Sequence, residues 1–377
     1  RTEDLRIALD EAERANGIKN EFLAMISHEI RTPMNAVHGM AQLLEDSGLN
    51  DEQQEMARLI IRSSQSLLRI VNDLLDLSKI EAGKLELEQV TFPLGETIEE
   101  VVEVYERRAK AKGLVLQADI DQSLRQSYRG DPGRLRQVLM NFVDNAIKYS
   151  SSGTVTLRTE SKGRNGATHQ MYFSVTDQGP GIPEDKRCQL FQKFNRMGMT
   201  GSRGIEGTGL GLALCKQLVE LMHGTIGAEQ APVQGATFWF TVPLTQVEEP
   251  MGKEPPTPPL LDEQPIQSLR ILVAEDNLAN QLVIKLMLQK LNHRVEVASD
   301  GVEAVEANRL APFDLVLMDM QMPVLDGLEA TRQIRALEGV RSTVPIIALT
   351  ANAMERDRQQ CFSAGMNGFL SKPISRQ

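Results

Sequence analysis

Residues 22–33 read Phe-Leu-Ala-Met-Ile-Ser-His-Glu-Ile-Arg-Thr-Pro, a helical stretch that sets an imidazole beside a carboxylate and a proline one turn further on. A histidine whose second ring nitrogen is polarised by an acid is a competent nucleophile, which makes His28 and Glu29 candidates for chemistry. Taken alone, His28 and Glu29 also fit a helix surface that faces solvent and has no catalytic role. Pro33 removes a backbone hydrogen bond, and this predicts a bend in the helix just after His28.

Two long helices are predicted around this stretch. Apolar residues at steps of three and four indicate one helix over 2–46, and a second helix follows a turn and runs to about residue 82. The apolar stripe of the second helix is too wide for one antiparallel hairpin to cover. We therefore expect a four-helix bundle made by two copies of the chain, the alternative being a hairpin packed on its own chain.

Composition excludes several classes of function. The chain has 377 residues and a formal net charge of −10, and no basic stripe is visible, which argues against nucleic-acid binding. Three scattered cysteines without a CxxC pair argue against disulfides and zinc. No apolar run reaches the length of a membrane span, and the chain opens with Arg1 in mid-helix, so we expect a cytoplasmic piece of a longer protein.

The rest of the chain divides into three parts. Residues 84–246 mix alternating strand-like runs with helices, which predicts a layer of helices on a mixed sheet. Residues 247–267 are acidic and rich in proline and form an extended linker. Residues 268–377 contain five short apolar strands separated by helical stretches, which predicts an α/β doubly wound parallel sheet.

A first candidate ligand-binding motif lies on a predicted helix. Asn141, Asn145 and Lys148 recur at i, i+4 and i+7, which stacks two amides and an ammonium group on one face. An amide oxygen can coordinate a hard cation and an ammonium group can meet a phosphate. Polar faces of amphipathic helices commonly carry these residues, so the motif alone is weak.

A second motif follows a predicted strand, where Asp177 precedes Gly179 and Gly181. The glycines would let the backbone approach a planar ligand, and the carboxylate could accept from an exocyclic amine. A turn that binds no ligand fits the same residues equally well.

A third motif, Gly207, Gly209 and Gly211, opens a predicted helix. Glycine-rich backbone leading into a helix N-terminus can cradle phosphate groups. A Rossmann site is suggested about as readily, but the βαβ unit with an acidic residue about twenty positions later is missing here.

Position alone predicts a site in the last domain. Polar residues end four of the predicted strands, with Glu275 and Asp276 at the first, Asp319 at the third, Thr350 at the fourth and Lys372 at the fifth. Parallel sheets bind ligands at the carboxyl ends of their strands. Three carboxylates at one edge require a cation, and Mg²⁺ with open positions for phosphoryl oxygens fits. We assign no role to the remaining histidines, which are His38, His169, His223 and His293.

Taken in order, these motifs resemble those of hybrid sensor histidine kinases. Residues 22–33 resemble the H-box, the three ligand-binding motifs resemble the N, G1 and G2 boxes, and residues 190–194 resemble the F box. The last domain resembles response-regulator receivers. By this resemblance, residues 1–83 are the dimerisation and phosphoacceptor helices, 84–246 the α+β ATP-binding sandwich, 247–267 the linker, and 268–377 a receiver that lacks its last helix.

The resemblance implies a role for each motif in the kinase reaction. His28 accepts the γ-phosphoryl group of ATP, Glu29 orients and deprotonates the imidazole, and Thr32 orients water for dephosphorylation. Asn141 holds Mg²⁺, Asp177 reads adenine, and residues 195–206 form a mobile lid. The other candidate ATP-binding residues are Asn145, Lys148, Gly179, Gly181, Gly207, Gly209 and Gly211.

In the receiver the resemblance implies an acceptor and its supports. Asp319 accepts the phosphoryl group from His28, and Glu275 and Asp276 hold Mg²⁺ together with Asp319. Thr350 and Lys372 grip the phosphoryl group. Phe369 is the aromatic switch residue of such domains.

The expected activity is therefore an ATP-dependent protein-histidine kinase with phosphorelay, with or without phosphatase activity. Its partners would be a second copy of the chain through residues 1–83 and a downstream phosphotransfer domain or response regulator, with no nucleic acid and no membrane contact in this fragment. The parent protein would be anchored in the inner membrane of a bacterium. Two alternatives stay open: a catalytically silent dimeric scaffold that regulates another kinase, and a chaperone-like ATPase.

Overall fold

The computed structural model describes ten segments of the chain, which are residues 25–27, 29–31, 33–45, 47–121, 124, 126–195, 209–231, 234–247, 268–350 and 355–372. Several expectations fall outside them: the helix over 2–24, His28, Thr32, Gly207, the lid after residue 195, most of the linker, and the chain end after Lys372. The described residues form two compact units. One comprises residues 72–247, and the other comprises 25–71 together with 268–372.

A helical hairpin forms part of the second unit and continues into the first. The described residues of 25–45 are helical (α1), and α2 spans Asp51–Glu81. Asn50 caps α2 by accepting from the Gln53 amide at 2.9 Å, and Gln53 Oε1 accepts from the Asn50 amide at 3.2 Å. This reciprocal pair satisfies two backbone donors and ends the turn between the helices.

The first unit carries a seven-stranded mixed sheet. Its strands are β1 (Val90–Pro93), β2 (Leu114–Ile120), β3 (Ser127–Gly130), β4 (Gly153–Asn165), β5 (Thr168–Thr176), β6 (Thr225–Gln230) and β7 (Ala236–Gln246). The order is β1-β3-β7-β5-β4-β2, with β6 also paired to β7, and the β2–β4 pairing is parallel. The helices are α3 (Leu94–Ala111), α4 (Pro132–Tyr149) and α5 (Gly211–Leu221). Fully buried Phe142, Phe173 and Phe240 join the helices to the sheet, which confirms the predicted α+β sandwich.

The second unit carries a five-stranded sheet in which every pairing is parallel. Its strands are β8 (Arg270–Ala274), β9 (Arg294–Ala298), β10 (Leu315–Asp319), β11 (Ile346–Thr350) and β12 (Gly368–Ser371), in the order β12-β11-β10-β8-β9. The helices are α6 (Leu278–Lys290), α7 (Gly301–Leu310), α8 (Gly327–Arg335) and α9 (Glu355–Ala364). Separate apolar clusters cover the two faces of this sheet, which confirms the predicted doubly wound fold.

Among the helices that the structure describes, none combines the length and the apolar character needed to cross a bilayer.

Candidate active sites

Helix α4 presents the first predicted motif on its polar side. Asp131 caps the helix by accepting from the Arg134 amide at 2.9 Å, and the apolar residues of the opposite face are buried. Asn145 Nδ2 donates to Asn141 Oδ1 at 3.0 Å, so the two amides lie together as predicted from their spacing. The Lys148 ammonium group lies 5.2 Å from the ring centroid of Tyr149.

The glycine-rich motif meets this helix at its first described residues. A β-carbon on Gly211, the first residue of α5, would lie 2.3 Å from Asn141 Nδ2. Gly209 has a φ of +71°, and a β-carbon there would lie 2.9 Å from the backbone carbonyl carbon of Phe194. The structure therefore places Gly211 against the first motif and Gly209 against the backbone of Phe194, and glycine is needed at both positions for the close approach.

Asp177 lies at the end of β5 and is 4% exposed. Its Oδ1 accepts from the Gly179 amide at 2.7 Å and from the Ala236 amide at 3.2 Å. Burial raises the pKa of this carboxyl group, and the two amide donors oppose the rise. Within the described part of the chain, both hydrogen bonds to this carboxylate go to Oδ1.

The glycines of the second motif also lie where a side chain would be crowded or the backbone strained. A β-carbon on Gly179 would lie 3.0 Å from the carbonyl oxygen of Tyr149, and Gly181 has a φ of +77°. The backbone therefore turns closely at this point beside the end of α4. Asp177 and the two glycines form one compact corner next to the last residue of that helix.

Side-chain contacts that the motifs did not indicate join α2 to the α+β sandwich. Arg134 Nη1 donates to Asp76 Oδ2 at 2.9 Å and Gln137 Nε2 donates to the same oxygen at 3.1 Å, both partly buried. Lys193, in the predicted F box, forms an ion pair with Glu81. Asp76 and Arg134 are separated by 58 positions and belong to no motif, so sequence patterns could not pair them.

The carboxyl ends of β8 and β10 bring together the predicted acidic residues. Oxygen atoms of Glu275, Asp276 and Asp319 lie within 4.8 Å of one another. Glu275 and Asp319 are buried and Asp276 is exposed. Lys372 Nζ donates to Glu275 Oε2 and to Asp319 Oδ2, both at 2.7 Å, so four of the predicted site residues meet in one pocket.

The electrostatics of this pocket suit a divalent cation. Burial raises the pKa of Asp319 to about 6, the Lys372 ammonium group opposes the rise and the Glu275 carboxylate adds to it. Burial by itself lowers the pKa of Lys372, but the two carboxylates outweigh burial and the net shift is upward. Three carboxylates against one ammonium group leave an excess of negative charge, and carboxylate oxygens are ligands that Mg²⁺ prefers.

Neighbouring residues hold the pocket in place. Asn280 Nδ2 donates to Glu275 Oε1 and Gln281 Nε2 donates to the Glu275 carbonyl oxygen, both at 2.7 Å. The spacing of these two amides from Glu275 on the following helix could have indicated them. Thr350 ends β11 and is buried, and its carbonyl oxygen accepts from the Lys372 amide at 2.7 Å. Phe369 is partly buried and packs against the core of the five-stranded sheet.

One further predicted residue, Glu29, lies in α1. Glu29 is exposed on this helix. His28 and Thr32 fall outside the described residues, so their assignment stays a prediction from the sequence.

Comparisons with known proteins identify three families along the chain. Residues 18–83 match the His Kinase A (phospho-acceptor) domain, residues 130–246 match the histidine kinase-, DNA gyrase B-, and HSP90-like ATPase, and residues 271–377 match the response regulator receiver domain. The matches occur in the order that the sequence motifs predict.

Curated relatives carry the same arrangement. Hybrid signal transduction histidine kinase K of Dictyostelium discoideum is 37% identical over 98% of this chain and 32% of its own length. Sensor histidine kinase AruS of Pseudomonas aeruginosa is 37% identical over 99% of this chain and 37% of its own length. The chain thus spans about a third of the length of these two relatives.

A solved structure shares the architecture. The full-length ShkA crystal structure in complex with AMPPNP has a TM-score of 0.52 and 28% identity, and the match covers 94% of this chain and 96% of that one. The three matched domains and these relatives show that the chain belongs to the hybrid sensor histidine kinase family. The predicted family and fold are confirmed.

Proposed function

We propose that this chain transfers the γ-phosphoryl group of ATP to His28 and then from His28 to Asp319. The observation that carries the proposal is that one compact unit holds both helix α1, with most of the H-box sequence, and the acidic pocket of Asp319. A phosphoryl donor and its acceptor must approach closely and in line, and a shared unit supports that approach.

ATP would bind between α4 and the glycine-rich entry to α5. Asn141 would hold Mg²⁺ through its amide, which Asn145 orients at 3.0 Å, and Gly211 keeps the space beside that amide open. The metal would supply charge neutralisation at the phosphates. Asp177 Oδ1 is held by two backbone amides, so Oδ2 would accept from the exocyclic amine of adenine. Gly179, Gly181, Gly207, Gly209 and Lys148 would complete the site.

The first chemical step is attack by the His28 imidazole on the γ-phosphorus. A nitrogen–phosphorus bond forms, the bond to ADP breaks, and Glu29 takes the proton from the imidazole. Thr32, four residues after His28, would orient water when the kinase dephosphorylates a receiver.

The second step moves the phosphoryl group to a carboxylate oxygen of Asp319. An oxygen–phosphorus bond forms while the bond to His28 breaks, and the imidazole recovers a proton. Lys372 already contacts Asp319 and Glu275 and would offset the charge of the incoming group, with Thr350 as a further donor. Glu275, Asp276 and Asp319 would hold Mg²⁺, whose charge the pocket matches.

Dimerisation would cover the exposed apolar surface of the helical hairpin. Large apolar side chains are exposed along both helices. They include Val37, Met40, Leu44, Met56, Leu59, Ile60 and Leu67. A contiguous apolar face of this kind indicates a protein partner. A second copy joined through residues 1–83 would bury it in a four-helix bundle, and a downstream phosphotransfer domain or response regulator would receive the signal.

Incubation of the chain with γ-labelled ATP separates this proposal from its alternatives. Acid-labile and base-stable label on the protein indicates phosphohistidine and supports a kinase. Free phosphate without labelled protein indicates a chaperone-like ATPase. Neither label nor free phosphate, with nucleotide still bound, indicates a catalytically silent scaffold.

The contact between Gly211 and Asn141 yields a prediction for nucleotide binding. Gly211→Ala places a carbon atom 2.3 Å from Asn141 Nδ2, so the amide must move away from its proposed ligand. We expect nucleotide affinity to fall by about tenfold or more, since a displaced hydrogen-bonding group to a charged ligand is worth about 1.5–3 kcal/mol. Calorimetric titration with a non-hydrolysable ATP analogue measures the change.

The matched control is Gly163→Ala in β4, where a β-carbon meets no atom within 4 Å. This variant keeps full affinity if the loss at Gly211 is local. Equal affinity of wild type and Gly211→Ala would show that Asn141 does not contact the nucleotide.

A further inference from the structure

Helix α1 and receiver helix α6 approach closely at a glycine. Gly39 is buried, and a β-carbon built on it would lie 2.7 and 2.8 Å from the two γ-carbons of Val283. Carbon atoms in ordinary contact are about 3.5–4.0 Å apart, so any side chain at position 39 would separate the helices by about 1 Å. The backbone of Gly39 is helical, where alanine is more favourable than glycine. Glycine at position 39 therefore serves the close approach of the two helices, since its helical backbone does not require glycine.

The contact continues along both helices. One turn after Gly39, the Leu43 carbonyl oxygen accepts from Lys290 Nζ at 3.4 Å, at the end of α6. One turn before Gly39, Asn35 lines a pocket together with Glu275 and other residues of the acidic site. Helix α1 thus runs alongside α6 from Lys290, the last residue of α6, back to the acidic pocket.

Helix α6 is also tied to the phosphoryl acceptor. Asn280, three residues before Val283, donates to Glu275 Oε1, and Lys372 bridges Glu275 to Asp319. Three hydrogen bonds of 2.7 Å therefore connect α6 to the Asp319 carboxylate. The distance between α6 and α1 consequently sets the distance between Asp319 and α1.

We propose that Gly39 is a positioning residue for phosphoryl transfer to Asp319, and that its fit to Val283 selects the attached receiver as the acceptor. The inference rests on the proposed relay from His28 to Asp319. Gly39 contacts neither nucleotide nor phosphoryl group and has no part in autophosphorylation. A receiver with a larger side chain at the position of Val283 would be held away from α1.

The test measures two steps separately in the full chain. Autophosphorylation is followed in an Asp319→Asn background, where label stays on His28, and transfer is followed by rapid quench with Asp319 intact. We expect Gly39→Val to slow transfer by about 100-fold, the loss typical of a 1 Å misplacement, with an unchanged autophosphorylation rate. Gly39→Ala combined with Val283→Ala should transfer faster than Gly39→Ala alone, because the second change removes both clashing carbons while the alanine in α1 remains.

The outcomes distinguish this inference from the proposed function. Absence of label on His28 in every variant would refute the relay itself. Transfer by Gly39→Val at the wild-type rate would overturn the role of Gly39, and so would a loss in Gly39→Ala that Val283→Ala does not recover. Val283→Phe crowds the same contact from the receiver side and leaves α1 unchanged. Undiminished transfer by that variant would also overturn the proposal.

Discussion

Replacing His28 with glutamine is expected to abolish acid-labile label on the protein while nucleotide affinity remains unchanged. Glutamine keeps a polar side chain at position 28 but offers no nucleophilic nitrogen, so the first bond to phosphorus cannot form. Removing the nucleophile of a covalent mechanism costs several orders of magnitude in rate, about 10⁶-fold in the best-measured cases. Incubation with γ-labelled ATP, followed by quantification of base-stable label, measures the loss.

His38→Gln in α1 is the matched control. His38 is buried and its Nδ1 is hydrogen-bonded to Ser64 Oγ at 3.1 Å, and its pKa is lowered by burial, so it holds α1 against α2 in the neutral form. Glutamine can keep a hydrogen bond to Ser64, and we expect label on this variant to persist. Label that survives His28→Gln would assign the phosphorylated residue elsewhere.

The fold was largely predictable because two strong periodicities run through the chain. The apolar stripe of the second predicted helix indicated a wide apolar face, and α2 is present with part of that face exposed. Continuous apolar runs such as 271–274 indicated buried parallel strands, and these pair in parallel as expected. The short strands β1 and β3 carry four residues each, too few for a repeating pattern to show.

The acidic pocket was predictable for a topological reason. Strands of a parallel sheet deliver their carboxyl ends to one edge, so Glu275, Asp276 and Asp319 had to converge once the strands were assigned. Topology does not predict the contact of Arg134 with Asp76 or that of Gly39 with Val283. Those contacts depend on how separate helices pack, and a pattern within one helix does not determine which residue of another helix lies opposite.

Asp319→Asn is expected to trap the phosphoryl group on His28. The substitution keeps the shape of the side chain and one oxygen that can accept from Lys372, so the pocket stays folded, but it removes the carboxylate that attacks phosphorus. In wild type the label passes to an acyl phosphate, which hydrolyses far more readily than a phosphoester. Label should therefore persist much longer on the variant than on wild type, and all of it should survive alkali, which hydrolyses acyl phosphates and leaves phosphohistidine intact.

Asp119→Asn provides the same chemical change at an exposed carboxylate of β2, which pairs with Arg158 at 2.8 Å. An exposed ion pair contributes little, about 0–1 kcal/mol, so label on this variant should decay at the wild-type rate. A pulse of labelled ATP followed by removal of nucleotide gives the decay directly. If Asp319→Asn and wild type keep phosphohistidine equally long, the attached receiver is not the acceptor, and the charge and contacts of its pocket must serve a phosphoryl donor other than His28 of this chain.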